Sequence, residues 1–182
     1  MKFEDDTEVD LEQASVSAIV GYQVSTKTGL VASVGAILGG TVDHTSSEDV
    51  GKGILGSVTA TYLPFFETET RPFILGSFTL GHSRTTAVSD DGMRHDWTAF
   101  DGRFGLMVGK TFAERYVPFI TARGFAGPVS WTLGGNEVSG SDVYHYTVGV
   151  GGSFRIPGKL DLFAEVLPVG EKSASFGMSL PL

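Results

Sequence analysis

The amino-acid sequence predicts an all-β protein, an up-and-down antiparallel barrel of about eight to ten strands. From Ala14 onward, apolar residues recur at every second position, which is the period of a strand with two different faces. Glycine accounts for 25 of the 182 residues, and no segment shows a convincing helical period. Short and long connections alternate, as in a meander of hairpins. Strands this long and numerous are expected to close, because closure removes exposed edges.

The first segment, residues 1–13, is expected to form a solvated acidic arm before a single barrel domain, residues 14–182. It carries −5 of the net charge of −8, and it lacks the basic start of a signal peptide. An acidic chain without a basic run argues against nucleic-acid binding. The absence of cysteine excludes disulfides, thiolate metal sites and cysteine nucleophiles.

Nine alternating segments then follow in order. In residues 14–25, Val16, Val20 and Tyr22 share one face, with mainly serine and glycine opposite, and residues 30–42 repeat this pattern. The other segments lie near 52–66, 72–84, 97–111, 116–131, 142–156, 159–167 and 172–182. Long loops are expected near 43–50, 85–95 and 127–141.

The predicted strand count is odd, whereas bacterial single-chain barrels normally have even numbers of strands. Either two segments merge, or residues 1–6 add a short tenth strand, or an upstream strand is missing.

The placement of charge indicates which face points outward. Only Asp101, Arg103, Arg123, Asp161 and Glu165 fall within predicted strand bodies, and the polar face is otherwise serine, threonine and glycine. A water-facing exterior would be rich in lysine and glutamate. Small hydroxyl residues suit a crowded lumen, so the apolar face is predicted to contact lipid, as in a transmembrane β-barrel.

Aromatic residues fall in two bands, as in the interfacial girdles of membrane barrels. The band at the short-turn end contains Tyr62, Phe65, Phe66, Phe73, Phe112, Tyr116, Phe119 and Phe154; the band at the long-loop end contains Trp97, Phe100, Phe125, Trp131, Tyr144 and Tyr146.

The end of the chain has a glycine-rich strand, a tight turn, a strand with acidic residues and a last alternating strand. It resembles the carboxyl end of small bacterial outer-membrane β-barrel proteins. That resemblance implies an outer-membrane location, contact with a lipid bilayer or detergent, and insertion by the barrel-assembly machinery. The insertion signal would comprise Phe176, Met178, Leu180 and Leu182, with Leu182 in place of the usual Phe or Trp.

The strongest candidate site is a network of charges in the lumen. Strand alternation places its members on polar faces, and charges removed from water must be paired. We interpret the network either as ion pairs that fill a narrow barrel or as the lining of a polar passage for a small solute. Its members are Asp101, Arg103, Arg123, His145, Asp161 and Glu165, with Arg155 as a further neighbour.

No catalytic residue, cofactor or metal site is predicted. The glycines in residues 51–56 match a dinucleotide-binding spacing, but a β-branched strand follows instead of a helix. His82 and Ser83 are neighbours on a strand and therefore point to opposite faces. The polar loop near residues 85–95 lacks the residue spacing of a calcium-binding loop. We therefore expect solvated extracellular loops that include Asp90, Asp91, His95, Trp97 and Trp131.

These features predict an outer-membrane barrel that is a structural or surface protein or a narrow polar channel, with an unknown solute or surface partner. The alternative is a soluble lipocalin-like carrier whose apolar face points inward around its ligand. A membrane-embedded lipid-modifying enzyme is the third hypothesis.

Overall fold

The protein forms antiparallel β-strands in a computed structural model that describes residues 2–3, 9–43, 47–88, 94–133, 136–156 and 160–180. No helix occurs among these residues, so none there could cross a membrane. The strands are β1 Lys2–Phe3, β2 Asp10–Gln23, β3 Thr28–Asp43, β4 Ser47–Val50, β5 Gly53–Phe65, β6 Phe73–Val88, β7 Arg94–Gly109, β8 Tyr116–Ala126, β9 Val129–Leu133, β10 Asn136–Ser141, β11 Tyr146–Ile156, β12 Leu160–Gly170 and β13 Ser173–Ser179.

All thirteen strands belong to one sheet, in which chain neighbours pair in a meander. Two pairs of strands act as single long ones: β4 and β5 both lie between β3 and β6, and β8 and β9 both pair with β7. The order around the sheet runs from β13 through β12, β11, β8, β7, β6, β4 with β5, and β3 to β2. This bears out the prediction of an all-β antiparallel fold with a barrel-like sheet.

The predicted long loops are wrong in large part, because the strands continue through them. β3 and β4 pair as far as Asp43 and Ser47, β6 and β7 pair as far as Val88 and Arg94, and β9 and β10 form a hairpin. The reason is packing: Val42, Val50, Ala87 and Val129 are buried, so residues that look like loop in the sequence supply a core. The wall is therefore taller at this end, which we call the long-loop end. The opposite, short-turn end contains the connections at 24–27, 66–72 and 110–115.

The amino-terminal region contributes more to the sheet than a solvated arm would. β2 begins at Asp10, so residues 10–13 belong to the barrel wall. Lys2 and Phe3 pair with Ser141 and Gly140 of β10. Residues 4–8 lie outside the described residues.

The two faces of the sheet differ as predicted. Outward residues of β3 are exposed; Val34, for example, has 67% of its surface accessible. Ser33 beside it is half-buried on the inner face. Inward hydroxyls pair between strands: Ser33 Oγ lies 2.7 Å from Ser57 Oγ, and Thr59 Oγ1 lies 2.8 Å from Thr79 Oγ1. The large exposed side chains include Val20, Tyr22, Leu38, Val58, Phe104, Leu106, Ile120 and Val150.

The inner space at the long-loop end is packed with apolar side chains, which we call the apolar plug. Its residues lie on β2, β3, β4, β5, β7 and β9 or immediately before β2, so the cluster joins the inner sides of these strands. The plug comprises Val9, Ile37, Val42, Val50, Trp97 and Val129, with Leu11, Leu55 and Ala99 packed against it.

Candidate functional site

An ion pair on the inner face joins two strands that are not direct neighbours. Arg123 on β8 points inward, and its Nη2 donates to both oxygens of Glu165 on β12, at 2.6 and 2.7 Å. β11 lies between these strands. Its Gly149 and Gly151 pair with Thr121 and Phe119 of β8, so no β11 side chain projects at these positions. Glu165 is buried, so this pair is largely removed from bulk water.

A second ion pair lies within β7. Arg103 Nε donates to Asp101 Oδ2 at 2.5 Å, and the guanidinium carbon lies 5.4 Å from the centre of the Phe125 ring. Phe125 is the ladder partner of Arg103 on β8, which explains the cation–π contact. On the other side of β7, Gly81 faces Asp101, and a Cβ at that position would lie only 2.5 Å from the carboxylate. A side chain at this position would therefore require the Asp101 carboxylate to move.

The two pairs are adjacent but separate. Arg103 is opposite Phe125, and Gly105, two residues further along β7, is opposite Arg123. Each arginine binds a carboxylate on its own strand or across one intervening strand. The contacts therefore follow the wall, and these four residues form two separate ion pairs instead of one network.

Two other predicted members lie apart from these pairs. Asp161 binds Arg155, with Oδ1 at 3.2 Å from Nε, on the hairpin of β11 and β12 near the short-turn end. His145 is exposed in the connection between β10 and β11, and its carbonyl oxygen accepts a hydrogen bond from the Phe125 N–H at 2.9 Å. A strand body for residues 142–145 was the wrong premise, because β11 begins only at Tyr146.

Several polar groups near the lumen were not expected from the sequence. Burial raises the pKa of the Asp142 carboxyl, while the positive charge of Arg103 opposes this increase. Glu48 on β4 is buried, and its Oε2 has no hydrogen-bond partner among the described residues; the same is true of the buried Thr147 Oγ1. For Glu48, the only signal in the sequence was its alternation with Val50 within a predicted loop.

The predicted extracellular loop residues have different environments. His95 and Trp97 are buried on the inner face of β7, so they are not exposed loop residues. Asp96 is exposed between them and pairs with Arg84 at 2.9 Å. Asp90, Asp91 and the side chain of Trp131 lie outside the described residues.

The predicted aromatic bands also need correction. Most of the band at the short-turn end is exposed, but Trp97 and Phe125 at the other end face inward and are buried. The exposed members are Tyr62, Phe65, Phe66, Phe112, Tyr116, Phe154, Phe100, Tyr144 and Tyr146.

The terminal strand displays its apolar residues outward. Phe176 and Met178 on β13 and Leu180 just beyond it are exposed. Leu182 lies outside the described residues.

The residues considered for other chemistry are separated by the sheet. His82 is exposed on the outer face, while Ser83 is half-buried on the inner face. Within the described ranges, no group of three or more His, Asp or Glu residues is arranged to hold a metal ion.

Comparisons with models of protein families, with curated proteins and with solved structures find nothing that matches this chain.

Proposed function

We propose that this protein is a transmembrane β-barrel of the bacterial outer membrane, with a structural or surface role and a lumen closed by the apolar plug. The observation that carries the proposal is the exposed apolar face, which continues around the long strands. Along these strands, outward apolar residues alternate with inward serine, threonine and glycine, as Val34 and Ser33 do on β3.

The size of this face supports a lipid environment. A monomeric soluble protein rarely exposes a continuous apolar patch larger than a few hundred Å². Removal of apolar surface from water stabilises a folded protein by about 25 cal/mol per Å², and surface that stays exposed to water does not make this contribution. In a bilayer the same surface contacts hydrocarbon, and the strands between β2 and β13 are hydrogen-bonded to neighbours on both edges. The exposed face therefore favours a membrane barrel over a soluble carrier, whose apolar residues would point inward.

Features of both ends support the outer membrane. Exposed aromatic residues at the short-turn end suit a membrane–water interface. Two of them stack with cations: the Lys27 Nζ lies 5.7 Å from the centre of the Phe66 ring, and the Arg71 guanidinium lies 5.5 Å from that of Phe65. The outward residues of β13 suit recognition by the barrel-assembly machinery, as the resemblance of the terminal strand implies.

A closed lumen is favoured over an open pore, because the apolar plug packs inward-facing side chains together at the long-loop end and ion-paired side chains occupy the inner face further along. A narrow polar channel is the second candidate, since the Arg103 and Asp101 side chains keep 39% and 24% of their exposure. Planar-bilayer recordings separate the two: a closed barrel stays at the baseline, and a channel gives discrete conductance steps.

Electrophoresis of the detergent-refolded protein tests the membrane barrel. We expect the unboiled protein to migrate faster than the boiled protein, because a barrel resists unfolding by detergent and remains compact. A monomer that is soluble without detergent and shows no such shift would contradict the proposal.

A further inference from the structure

A short strand places a carboxyl group inside the apolar plug. Glu48 on β4 is 4% exposed, and its Oε2 has no hydrogen-bond partner among the described residues. Its ladder partner on β3 is Val42, and the next inward residue on β4 is Val50; both belong to the plug. A buried carboxyl group without a partner is costly whether it is ionised or protonated, because water no longer solvates its oxygens. The closed plug therefore contains a group that would be more stable in water.

The pairing of β4 in the sheet is incomplete on one edge. Each of its four residues pairs with β3, but only Asp49 and Val50 pair with β6. Glu48 and Asp49 are also residue types that are depleted in strands. Segments with few backbone pairs and little local preference for their structure open at a lower free energy than the rest of a fold. We therefore expect β4 to leave the sheet more readily than the long strands on either side.

A break in the strand follows β4 directly. Gly51 and Lys52 separate β4 from β5, which begins at Gly53. Two hydrogen bonds fix this break to β6: the Gly51 N–H donates to the Thr86 carbonyl oxygen at 2.6 Å, and the Gly51 carbonyl oxygen accepts from Thr85 Oγ1 at 2.8 Å. β4 can therefore leave the sheet while β5 keeps its place between β3 and β6.

We propose that β4 is a gate: it leaves the sheet, carries Glu48 into water and opens the apolar plug, so that small polar solutes reach the inner face from the long-loop end. The inference rests on the proposed closed barrel and adds a means of opening it. The inner face beyond the plug suits such solutes, because it contains the paired hydroxyls of Ser33 and Ser57 and the ion pair of Arg123 with Glu165. Ionisable groups buried within membrane proteins commonly mark the pathways of ions and solutes.

Cysteine labelling tests the gate, because the chain has no cysteine of its own. Ile37→Cys, at a plug position that is 1% exposed, reports opening of the plug. Thr121→Cys, at a position on β8 that is 2% exposed, reports opening of the barrel elsewhere. Each reporter is refolded in detergent and treated with a charged, water-soluble maleimide. The rates are compared with Glu48 in place, with Glu48→Met, and with Glu12→Met, which is the same change at an exposed residue of β2.

We expect Glu48→Met to slow the labelling of Ile37→Cys about tenfold, because the closed plug no longer contains an unsatisfied carboxyl group. The labelling of Thr121→Cys should not change, and Glu12→Met should change neither rate. The inference is overturned if Ile37→Cys remains unlabelled for several hours with Glu48 in place, if Glu48→Met does not slow its labelling, or if both reporters are slowed equally.

A disulfide lock tests the same gate without a change at Glu48. Thr41 and Asp49 are ladder partners on β3 and β4, so oxidation of a Thr41→Cys/Asp49→Cys variant joins the two strands. We expect oxidation to stop the labelling of Ile37→Cys, measured on the peptide that contains residue 37, and reduction to restore it. Equal labelling of this peptide in both states would overturn the gate.

The electrophoretic shift of each variant is recorded in the same samples. Loss of the shift in every variant counts against the membrane barrel, whereas a retained shift with unchanged labelling counts against the gate alone.

Discussion

Arg123 and Glu165 illustrate why charges inside a narrow barrel occur in pairs. Glu165 is 8% exposed and accepts two hydrogen bonds from one guanidinium nitrogen. A buried pair gains little over an apolar pair of similar shape, but loss of one partner leaves an uncompensated charge. The pair is therefore important for stability mainly because removal of one partner alone would destabilise the folded protein.

Replacement of Arg123 by Met is expected to lower the free energy of unfolding by about 3–5 kcal/mol, because the Glu165 side chain would remain buried without its partner. Arg84→Met is the matched control: its pair with Asp96 is exposed, with 60% and 54% of the side-chain surfaces accessible, and its loss should cost no more than about 1 kcal/mol. Urea titration of the refolded proteins measures both. Equal losses for the two variants would contradict the internal position of Arg123.

A pH effect is expected from Asp142. Its pKa is raised by burial above its ordinary value of 3.8, so the folded protein binds this proton more tightly than the unfolded chain. Deprotonated Asp142 therefore destabilises the fold at neutral pH, and stability recovers as the pH falls from the folded-state pKa towards 3.8.

Asp142→Asn is expected to be more stable than the parent at pH 7 and to lose this part of the pH dependence. Urea titrations at a series of pH values between about 4 and 7 test this expectation. Glu69→Gln, a change at an exposed residue in the connection between β5 and β6, serves as the control and should leave the profile unchanged. If the stability of the parent fell as the pH was lowered through this interval, and Asp142→Asn removed that fall, the effect of Asp142 would have the opposite sign and the account would be contradicted.

At the scale of single elements, strand alternation was readable because one face is small and polar throughout. The strand extensions at the long-loop end were not readable, because Gly, Ser and Asp near Val42, Val50 and Val129 resemble loop composition. Their burial depends on strands from the other side of the barrel, which a local pattern does not contain. Strand alternation alone places Asp101 and Arg103 on one face. The pairing of Arg155 with Asp161, by contrast, depends on the register of β11 and β12, which a local pattern does not contain.

The turn between β7 and β8 contains local strain. Ala113 and Glu114 adopt positive φ angles of 50° and 59°, a region that favours glycine. The turn is closed by hydrogen bonds from the N–H groups of Arg115 and Tyr116 to the Phe112 carbonyl oxygen, at 3.1 and 3.0 Å.

Ala113→Gly is expected to stabilise the protein by about 0.5–1 kcal/mol, because glycine tolerates this conformation. Ala122→Gly, in the middle of β8, is the control and should destabilise by a similar amount. Urea midpoints of the two variants should therefore move in opposite directions. A decrease for both would mean that the positive φ angles carry no strain.

At the scale of the whole molecule, one sheet places two chemistries on opposite sides: apolar side chains outside, and hydroxyls, ion pairs and the apolar plug inside. A soluble carrier would require the reverse arrangement.

The outward direction of the apolar face is tested most directly by lipid-dependent fluorescence quenching at two adjacent positions. Val34→Cys and Ser33→Cys are labelled separately with the same fluorophore, which is possible because the chain has no cysteine. Each is reconstituted in vesicles of phospholipids with brominated acyl chains. The account predicts strong quenching at Val34→Cys and weak quenching at Ser33→Cys; stronger quenching at Ser33→Cys, or no quenching at either position, would contradict it.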